Sequence, residues 1–386
     1  MELLRDIPTE RGAVADEGFV ENKLIHAILY TKIKIQTVAK KKKQPNTFAA
    51  FIRRHKWWSI VVGSFAAIML LIGFLNAFVF LPVQHPNLGV TFTRERSEEF
   101  GLDWKANYTA LLDDMQLKHF RLTSYWSSHE PTRGEFDFSD LDWQIEQAAE
   151  RGAKVDIALG LRQPRWPECW QPGWAKQLSG NEWKQALYAY MEIVVNRYKN
   201  NPAVANWQLE NEAVNNWFGE CGAPDRQRLN EEYALVKHLD PSRDIRMSLS
   251  DQHGLPLGTP VPDEYGFSVY RIVWNTFGPV HFYLVYPTPL WYHRARAVAI
   301  EWIQHRPIFI HELQMEPWGP KDTTQLTIAE QDESMSAEQI HKSMLFARKI
   351  GTPDIDMWGG EWWYWRLVNG DGSIWNAVKQ EVQNAK

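Results

Sequence analysis

The stretch Val204-Ala205-Asn206-Trp207-Gln208-Leu209-Glu210-Asn211-Glu212 joins a strand pattern to a group of polar side chains. Its first six residues carry no charge and include large apolar side chains, which is typical of a buried β-strand. A second stretch, Ile308-Phe309-Ile310-His311-Glu312, repeats this order 100 residues later. Two buried strands that both run into a glutamate predict a parallel sheet with carboxylates at the carboxyl ends of its strands.

The chain beyond residue 84 repeats a unit of one strand and one helix. Short runs of β-branched and aromatic residues predict strands at residues 88–92, 119–123, 155–159, 204–209, 245–249, 280–285, 308–311 and 355–357. Helical spacing predicts helices between them at residues 140–151, 181–198, 226–239, 290–304 and 337–349. This alternation predicts an α/β fold, a (β/α)8 TIM barrel over residues 84–386. An open, doubly wound sheet is the alternative, but the sequence has no glycine-rich phosphate loop to support it.

The barrel topology gives the two glutamates a common location. Active sites of such barrels lie at the C-terminal ends of the strands, so Glu212 and Glu312 are candidate catalytic residues. Strands four and seven face one another across the barrel mouth, and a pair of carboxylates there suits the cleavage of a glycosidic bond. One carboxyl group protonates the leaving oxygen, and the other stabilises or attacks the anomeric carbon.

With these motifs the sequence resembles the clan A glycoside hydrolases, a group of retaining (β/α)8 enzymes that includes cellulase-like, mannanase-like and β-galactosidase-like families. The resemblance rests most on Asn211-Glu212 at the end of strand four. It implies that Glu212 is the acid/base, that Glu312 is the nucleophile, and that Asn211 binds the sugar 2-hydroxyl.

The same resemblance implies further site residues. Arg121 in strand two resembles the arginine that holds the nucleophile, and Trp358 resembles the strand-eight aromatic residue that floors the cleavage subsite. His281-Phe282-Tyr283 resembles the strand-six motif whose tyrosine contacts the nucleophile. Residues 126–138, which begin with Trp126, are similar to the loop after strand two in several families of the clan.

Three further glutamates lie close in sequence to the predicted strand ends, and their roles need to be considered. Glu316 is a rival nucleophile if strand seven ends later than residue 311. Glu210 would share a face with Glu212 if strand four continued, and we expect it to support the site or the barrel interior. Glu361, after two glycines, suits a substrate contact and a loop charge equally well.

Tryptophan is the most unusual feature of the composition, because 18 of the 20 tryptophans follow residue 84. Sugar rings present apolar C–H faces that stack on aromatic rings, so tryptophans in loops after strands favour saccharide subsites. Trp166 is the candidate that we place at the substrate, and core packing is expected for about half of the others. The tryptophans that cluster in the predicted loops are Trp166, Trp170, Trp174, Trp217, Trp318, Trp358, Trp362, Trp363 and Trp365.

An uncharged run of 27 residues, 57–83, predicts a transmembrane helix, and a buried core helix is the alternative. Residues 1–56 carry 12 Lys and Arg against 6 Asp and Glu, while the remainder carries 30 against 41. Positive charge stays on the cytoplasmic side. The prediction is therefore a single-pass membrane protein with a basic cytoplasmic N-terminal region, 1–56, and an extracytoplasmic barrel.

The remaining composition narrows the function classes. With 44% hydrophobic and 23% charged residues and a net charge of −5, the chain is not disordered, collagen-like or a disulfide scaffold. The acidic larger part argues against nucleic acid as a partner. We expect no metal and no cofactor, because the 12 histidines lack a ligand spacing. Cys169 and Cys221 follow neighbouring strands and are either bridged or two free thiols.

These features predict retaining hydrolysis of a β-linked oligo- or polysaccharide at the extracytoplasmic face. Two alternatives remain: a non-catalytic barrel that binds saccharides or docks to the cell wall, and a transglycosylase of the same clan. The sequence gives neither the sugar nor the oligomeric state.

Overall fold

The computed structural model describes residues 56–74, 81–215, 218–250 and 256–386. The basic region predicted over residues 1–56 lies outside the described residues except for Lys56, and Trp217 also lies outside them.

Helix α1 (Lys56–Phe74) occupies most of the uncharged run. Its residues Trp57–Phe74 have a mean hydropathy of 2.0, and none of this length is buried against other parts of the chain. By length and composition the helix is able to cross a membrane. Residues 75–80 of the predicted span lie outside the described residues, and residues 81–83 are not helical: the Val83 N–H donates to the Arg348 carbonyl at 2.9 Å. Lack of charge alone does not mark where a helix ends.

Eight parallel strands close into a barrel, which confirms the predicted fold for the larger part of the chain. Around the barrel the order is β1-β2-β3-β4-β5-β6-β9-β10, which returns to β1. The ten strands of the described residues are β1 (Asn87–Phe92), β2 (His119–Thr123), β3 (Lys154–Leu159), β4 (Val204–Leu209), β5 (Asp244–Leu249), β6 (Glu264–Val269), β7 (Ile272–Phe277), β8 (Val280–Val285), β9 (Ile308–Gln314) and β10 (Asp354–Trp358).

The prediction that residues 280–285 form the sixth barrel strand is wrong. That segment is β8, which pairs antiparallel with β7 in a hairpin outside the barrel, whereas β6 pairs with β5 and β9. The β6 sequence, Glu-Tyr-Gly-Phe-Ser-Val, contains a glycine that weakens its strand signal. Gly266 is required there because a Cβ atom would lie 2.7 Å from Cβ of His311 on β9.

A buried amide fixes the base of the hairpin. Oε1 of Gln314, at the end of β9, accepts from the N–H groups of Arg271 and Ile272 at 2.7 and 3.0 Å. Its Nε2 donates to the Ile272 carbonyl at 2.6 Å. The hairpin therefore begins at a defined position beside the barrel mouth.

Helices pack around the barrel, and the five predicted ones lie within one residue of their expected bounds at either end. In the helix Ala337–Ile350, the residues Ile340, Met344 and Ala347 recur at helical spacing on the buried face. After α1 the helices are α2 (Arg94–Glu99), α3 (Trp104–Asp113), α4 (Trp126–His129), α5 (Ser139–Glu150), α6 (Glu182–Tyr198), α7 (Arg226–Leu239), α8 (Leu290–Gln304), α9 (Ile328–Asp332), α10 (Ala337–Ile350), α11 (Gly360–Val368) and α12 (Ser373–Asn384).

Charged side chains fill the N-terminal half of the barrel, in what we call the basal cluster: His119, Asp156, Arg246, Glu264, Asp354 and Asp356. His119 lies 3.1 Å from Asp156 and 3.2 Å from Asp356. Arg246 lies 2.7 Å from Asp156 and from Glu264, and 3.5 Å from Asp354. Asp156, Arg246 and Asp356 are buried, and buried charges are tolerated only when they are paired.

Candidate active site

Glu212 and Glu312 lie at the mouth of the barrel, at the C-terminal ends of β4 and β9. Their exposed fractions are 8% and 4%. One carboxylate oxygen of each, together with a ring nitrogen of His311, lies within 4.8 Å of the other two. The fold therefore brings the two predicted carboxylates together across the barrel.

Glu312 is held by three side chains. Arg121 Nη2 donates to Oε1 at 2.8 Å, the Tyr270 hydroxyl donates to Oε2 at 3.0 Å, and Nε2 of His311 lies 3.4 Å from Oε1. Burial opposes ionisation, but the charge of Arg121 and the neighbouring His311 ring outweigh it and hold the pKa of Glu312 well below its usual range. This carboxylate is therefore ionised at neutral pH.

Arg121 is itself fixed from several sides. Its Nε donates to Thr91 Oγ1 at 2.7 Å, and its Nη1 donates to Gln208 and Asn211 at 3.3 and 3.4 Å. The side chain is 1% exposed. A guanidinium held in this way keeps its charge beside Glu312 without the freedom of a surface arginine.

Glu212 has different surroundings, with no ion-pair partner among the described residues. Asn215 Nδ2 donates to Oε2 at 2.8 Å, and the Ser268 hydroxyl bonds to Oε1. The backbone N–H of Glu212 donates to Ser248 Oγ at 2.8 Å, and the residue adopts a φ of 46°. A left-handed conformation in a residue other than glycine is a strained backbone that often occurs at functional sites.

Asn211 is oriented between the two glutamates. Its Oδ1 accepts from Arg121 and from Ser248 at 3.4 and 3.3 Å, so its Nδ2 is the group left to donate. The nearest acceptor of that Nδ2 is Glu168 Oε2 at 3.5 Å.

Glu168 is a third buried carboxyl group at the cleft, and the sequence did not single it out. Burial raises its pKa well above the usual range; Arg162 opposes this, and the charges of Glu212 and Glu312 add to it. Gly219 makes room for it, since a Cβ there would lie 2.9 Å from the Glu168 Cβ.

A second group of charged residues, Arg165, Glu316 and Glu361, lies around Trp358. Arg165 forms ion pairs with Glu316 at 2.5 Å and with Glu361 at 2.9 Å, and its guanidinium carbon lies 4.0 Å from the centre of the Trp358 ring. Trp358 Nε1 donates to Glu316 Oε1 at 2.7 Å. The predicted aromatic residue thus lines the cleft, but a guanidinium covers part of its ring.

Glu168, Glu212, Glu312 and Glu316 line one cleft with a volume of about 680 Å³, within the range of about 300–1,000 Å³ that is usual for ligand sites. Aromatic rings form part of its wall: Trp166 contacts Phe218 with ring centres 5.8 Å apart, and Phe218 contacts Trp318 at 6.1 Å. Trp166 is 57% exposed, as a ring placed to meet a ligand would be.

Three predicted site residues do not lie at the cleft. Tyr283 and His281 belong to the hairpin, where the Tyr283 hydroxyl donates to the Glu330 carbonyl at 3.2 Å and the His281 ring stacks on Trp274. Trp126 is fully buried, and its Nε1 donates to Glu130 at 2.7 Å. Tyr283 and His281 were misplaced because the sixth barrel strand was predicted at the wrong segment. Trp126 was misplaced because it packs in the core.

The structure supplies residues that sequence reasoning missed. Tyr270 follows β6 directly and takes the contact with Glu312 that was predicted for Tyr283. Ser268 lies in β6 as well. The signal that could have identified both was a tyrosine and a serine at the end of the run 264–269, which was not recognised as a strand.

Glu316, the rival nucleophile, and Glu210, the expected supporting group, both have structural partners. Glu316 lies two residues after β9 and bonds to Arg165 and Trp358, not to Arg121. Glu210 accepts from the backbone N–H groups of Leu161 and Arg162 at 3.1 and 3.3 Å. Both arrangements leave Glu312 as the carboxylate that faces Glu212.

The spacing of Glu212, His311 and Glu312 is also short enough to offer three ligands to a metal ion. The charge of Arg121, 2.8 Å from Glu312, opposes the binding of a further cation at this point.

A disulfide joins Cys169 to Cys221, with their Cα atoms 5.2 Å apart. The two cysteines lie in the loops after β3 and β4. The bridge ties the loop that carries Glu168 to the loop that follows Glu212.

Comparison with known proteins points in the same direction as this geometry. A family model described as β-galactosidase matches residues 102–242. The chain is 25% identical over 178 residues to the β-galactosidase Bga of Halorubrum lacusprofundi, and 26% identical over 184 residues to mannan endo-1,4-β-mannosidase F of Aspergillus fumigatus. These matches cover 40% and 41% of this chain but only 25% and 38% of the relatives.

Solved structures share the fold. An exo-β-1,4-mannosidase from Opitutaceae bacterium strain TAV5 matches with a TM-score of 0.52 at 15% identity, over 78% of this chain and 60% of that one. An endo-β-1,4-xylanase from Gloeophyllum trabeum matches with a TM-score of 0.50 at 16% identity, over 77% of this chain and 96% of that one.

Proposed function

We propose that this protein hydrolyses β-glycosidic bonds with retention of configuration, with Glu312 as the nucleophile and Glu212 as the acid/base. The observation that carries the proposal is the pair of carboxylates at the ends of β4 and β9, with oxygens within 4.8 Å of each other. Retaining enzymes have carboxyl groups about 5–5.5 Å apart, whereas inverting enzymes need about 6.5–9.5 Å to hold a water molecule.

In the first step an oxygen of Glu312 forms a bond to the anomeric carbon. The bond from that carbon to the leaving oxygen breaks, and the proton of Glu212 moves to the leaving oxygen. Arg121 and Tyr270 keep Glu312 ionised and oriented before the attack. In this role Asn211 Nδ2 donates to the sugar 2-hydroxyl beside the reacting carbon.

In the second step a water oxygen bonds to the anomeric carbon and the ester bond to Glu312 breaks. Glu212 takes the proton of that water, which restores both side chains. Two inversions at one carbon give overall retention. A sugar hydroxyl in place of water would give transfer instead, so product analysis separates hydrolysis from transglycosylation.

The substrate class follows from the relatives with which the chain shares sequence, which are named as β-galactosidases and a β-mannosidase. All of these act on β-linked sugars, and the aromatic wall of the cleft suits saccharide rings. We therefore assign a β-linked oligo- or polysaccharide as the substrate and leave the sugar to experiment.

The proposal includes a location. Helix α1 anchors the chain in a membrane, and the barrel lies on the extracytoplasmic side. The basic residues before α1 support this orientation, and so does the Cys169–Cys221 bridge, because disulfides persist outside the reducing cytosol. Protease added to intact cells should digest the barrel, and full protection would refute this orientation.

The test of the activity uses the full chain in detergent with aryl β-galactosides, β-mannosides and β-glucosides, and with mannan, xylan and β-glucan fragments. Glu212→Ala and Glu312→Ala should each lose turnover. Azide should rescue Glu212→Ala as a β-glycosyl azide and Glu312→Ala as an α-glycosyl azide. Glu338→Gln, an exposed carboxylate on α10, is the matched control. Full turnover in Glu312→Ala would refute the nucleophile assignment, and binding without cleavage would favour a saccharide-binding barrel.

A further inference from the structure

The hairpin β7–β8 exposes apolar side chains beside the barrel mouth. Its residues 272–285 include no Asp, Glu, Lys or Arg, although 23% of the whole chain is charged. At the tip of the hairpin Phe277 is 74% exposed and Val280 is 55% exposed. Exposed apolar side chains that lie next to one another often mark a surface that binds a ligand or a partner.

The register of the hairpin places these side chains on one face. Phe277 pairs with Val280, and Asn275 pairs with Phe282. Side chains alternate between the two faces of a strand, so these four residues share a face with Val273, which we call the cleft-side face. Val273 and Asn275 also line the cleft. The cleft-side face therefore continues the cleft outwards as far as the tip of the hairpin.

The hairpin lies on the side of the cleft where the leaving group is expected. The order of strands puts β5 and β6 between Glu212 and Glu312 on one side of the barrel mouth, and β3, β2, β1 and β10 on the other. The proposed function places the sugar 2-hydroxyl at Asn211 Nδ2, whose nearest acceptor is Glu168 in the loop after β3. The reacting sugar is then on the β3 side, and the leaving group points towards β6 and the hairpin that follows it.

The chemistry of the cleft-side face favours a hydrocarbon over a second sugar. Of its five side chains, that of Asn275 is the one able to hydrogen-bond, and its Oδ1 accepts from the Thr276 N–H at 2.7 Å. Sugar hydroxyl groups lose free energy when they leave water without new hydrogen bonds. A hydrocarbon chain needs no such partners and gains free energy by covering apolar surface.

We propose that the cleft-side face of the hairpin binds a hydrocarbon group of the substrate, which is therefore an amphiphilic β-glycoside: a β-linked saccharide with an apolar leaving group. The inference rests on the proposed function and names the substrate class of the same site. Cleavage follows the two steps given above, and the alcohol that leaves with the proton of Glu212 carries the hydrocarbon.

The test uses the full chain in lipid nanodiscs with methyl, butyl and octyl β-glycosides of the preferred sugar, each below its critical micelle concentration. The bond that breaks is the same in all three, so differences report contacts of the alkyl chain. Wild-type kcat/KM should rise about 10- to 100-fold from methyl to octyl, as burial of part of the chain predicts, and the double variant Phe277→Ser/Val280→Ser should reduce this ratio about fivefold or more.

Val285→Ser is the matched control. Val285 lies on the same strand as Val280 and is 58% exposed, but it pairs with Ile272 on the opposite face of the hairpin. This variant should keep the wild-type ratio and the wild-type turnover of the methyl glycoside. Both substrates are measured on one preparation, so a fraction of unfolded protein cancels in the ratio.

Two results would overturn the proposal. One is a wild-type ratio close to 1. The other is an equal ratio in wild type and in the double variant, because the dependence on chain length would then come from partition of the substrate into the bilayer. If the double variant kept the ratio and changed its oligomeric state, the face would be a contact between copies, and the proposal would be wrong.

Failure of the proposed function is distinguishable. If wild-type protein cleaves no glycoside, binding of the methyl and octyl glycosides is measured by calorimetry. Tighter binding of the octyl glycoside that is lost in the double variant but kept in Val285→Ser would support the surface in a binding protein. Equal affinities for the two glycosides in wild type would refute it.

Discussion

Two of the groups of buried and half-buried charges in this barrel differ in how they are paired: the basal cluster in its N-terminal half and the carboxylate pair at its mouth. In the basal cluster the cations His119 and Arg246 each contact at least two carboxylates. At the mouth Arg121 forms an ion pair with one carboxylate, that of Glu312, and within the described ranges the side chains that donate to the Glu212 carboxylate are the neutral Asn215 and Ser268.

This difference suggests that the basal cluster contributes to the stability of the fold, whereas the carboxylates at the mouth are available for a reaction. Removing one member of the basal cluster leaves a buried charge with too few partners, which is strongly destabilising. Removing the charge of Glu212 leaves no cation of the described residues without its partner. Residues whose charge is not needed by the fold are free to change protonation during a reaction, and the mouth of this barrel holds such a residue.

The substitution Glu212→Gln is expected to have the largest effect, which is a loss of catalytic rate. We expect kcat for a glycoside with a poor leaving group to fall about 10²- to 10⁴-fold, the usual contribution of a general acid/base. The free energy of unfolding should change by about 1 kcal/mol or less, because Asn215 and Ser268 keep a hydrogen-bond partner. Enzyme assays and urea unfolding measure the two quantities, and a large loss of stability would break the contrast between the clusters.

In the basal cluster we expect a substitution to lower the free energy of unfolding substantially. Asp156→Asn takes one partner from both His119 and Arg246 and should lower the free energy of unfolding by about 3 kcal/mol, measured by the shift of the urea midpoint. Asp113→Asn, which weakens an exposed ion pair with Arg151, is the control and should cost about 1 kcal/mol or less. If both variants lost the same free energy of unfolding, the basal ion pairs would contribute no more to stability than an exposed pair does.

The pH dependence of stability tests the same comparison through the protonation of the basal cluster. Asp156 has its pKa lowered from 3.8: burial alone would raise it, but Arg246 and His119 prevail. Its contribution is therefore present above about pH 4 and is lost as the pH falls. For His119, burial lowers the pKa, but Asp156 and Asp356 outweigh it and raise it from 6.5 to about 10.

The stability that His119 contributes is therefore fully present below pH 6.5 and is lost as the pH rises towards about 10. Both contributions are complete only between about pH 4 and pH 6.5. Urea unfolding of wild type and His119→Asn across pH 5–10 checks this. The difference between the two proteins should shrink above pH 6.5, and a difference that is constant with pH would refute the charge assignment.

Much of the fold could be predicted because its signals are local. Strands such as 204–209 and 119–123 show in the apolar pattern of a few residues, and the helices show in spacing. The carboxylates at the ends of β4 and β9, and Arg121 in β2, follow from the rule that barrel sites lie at strand ends.

The remainder depends on contacts that no local pattern carries. β6 contains Gly266 because His311 packs against it from another strand, and that glycine hides the strand. With β6 missed, Tyr270 was missed as well. Glu168 and Glu316 acquire their positions from Gly219 and Gly359, far away in the sequence, so their burial cannot be seen from the residues beside them.

The hairpin β7–β8 is inserted between β6 and α8 without interrupting a barrel pairing. Its two strands pair with each other, and Gln314 binds its base. Val273, Trp274 and Asn275 from its first strand reach the cleft wall. The hairpin is thus a replaceable module: evolution could lengthen, shorten or exchange it and so alter which substrates enter, while the barrel and its two glutamates stay as they are.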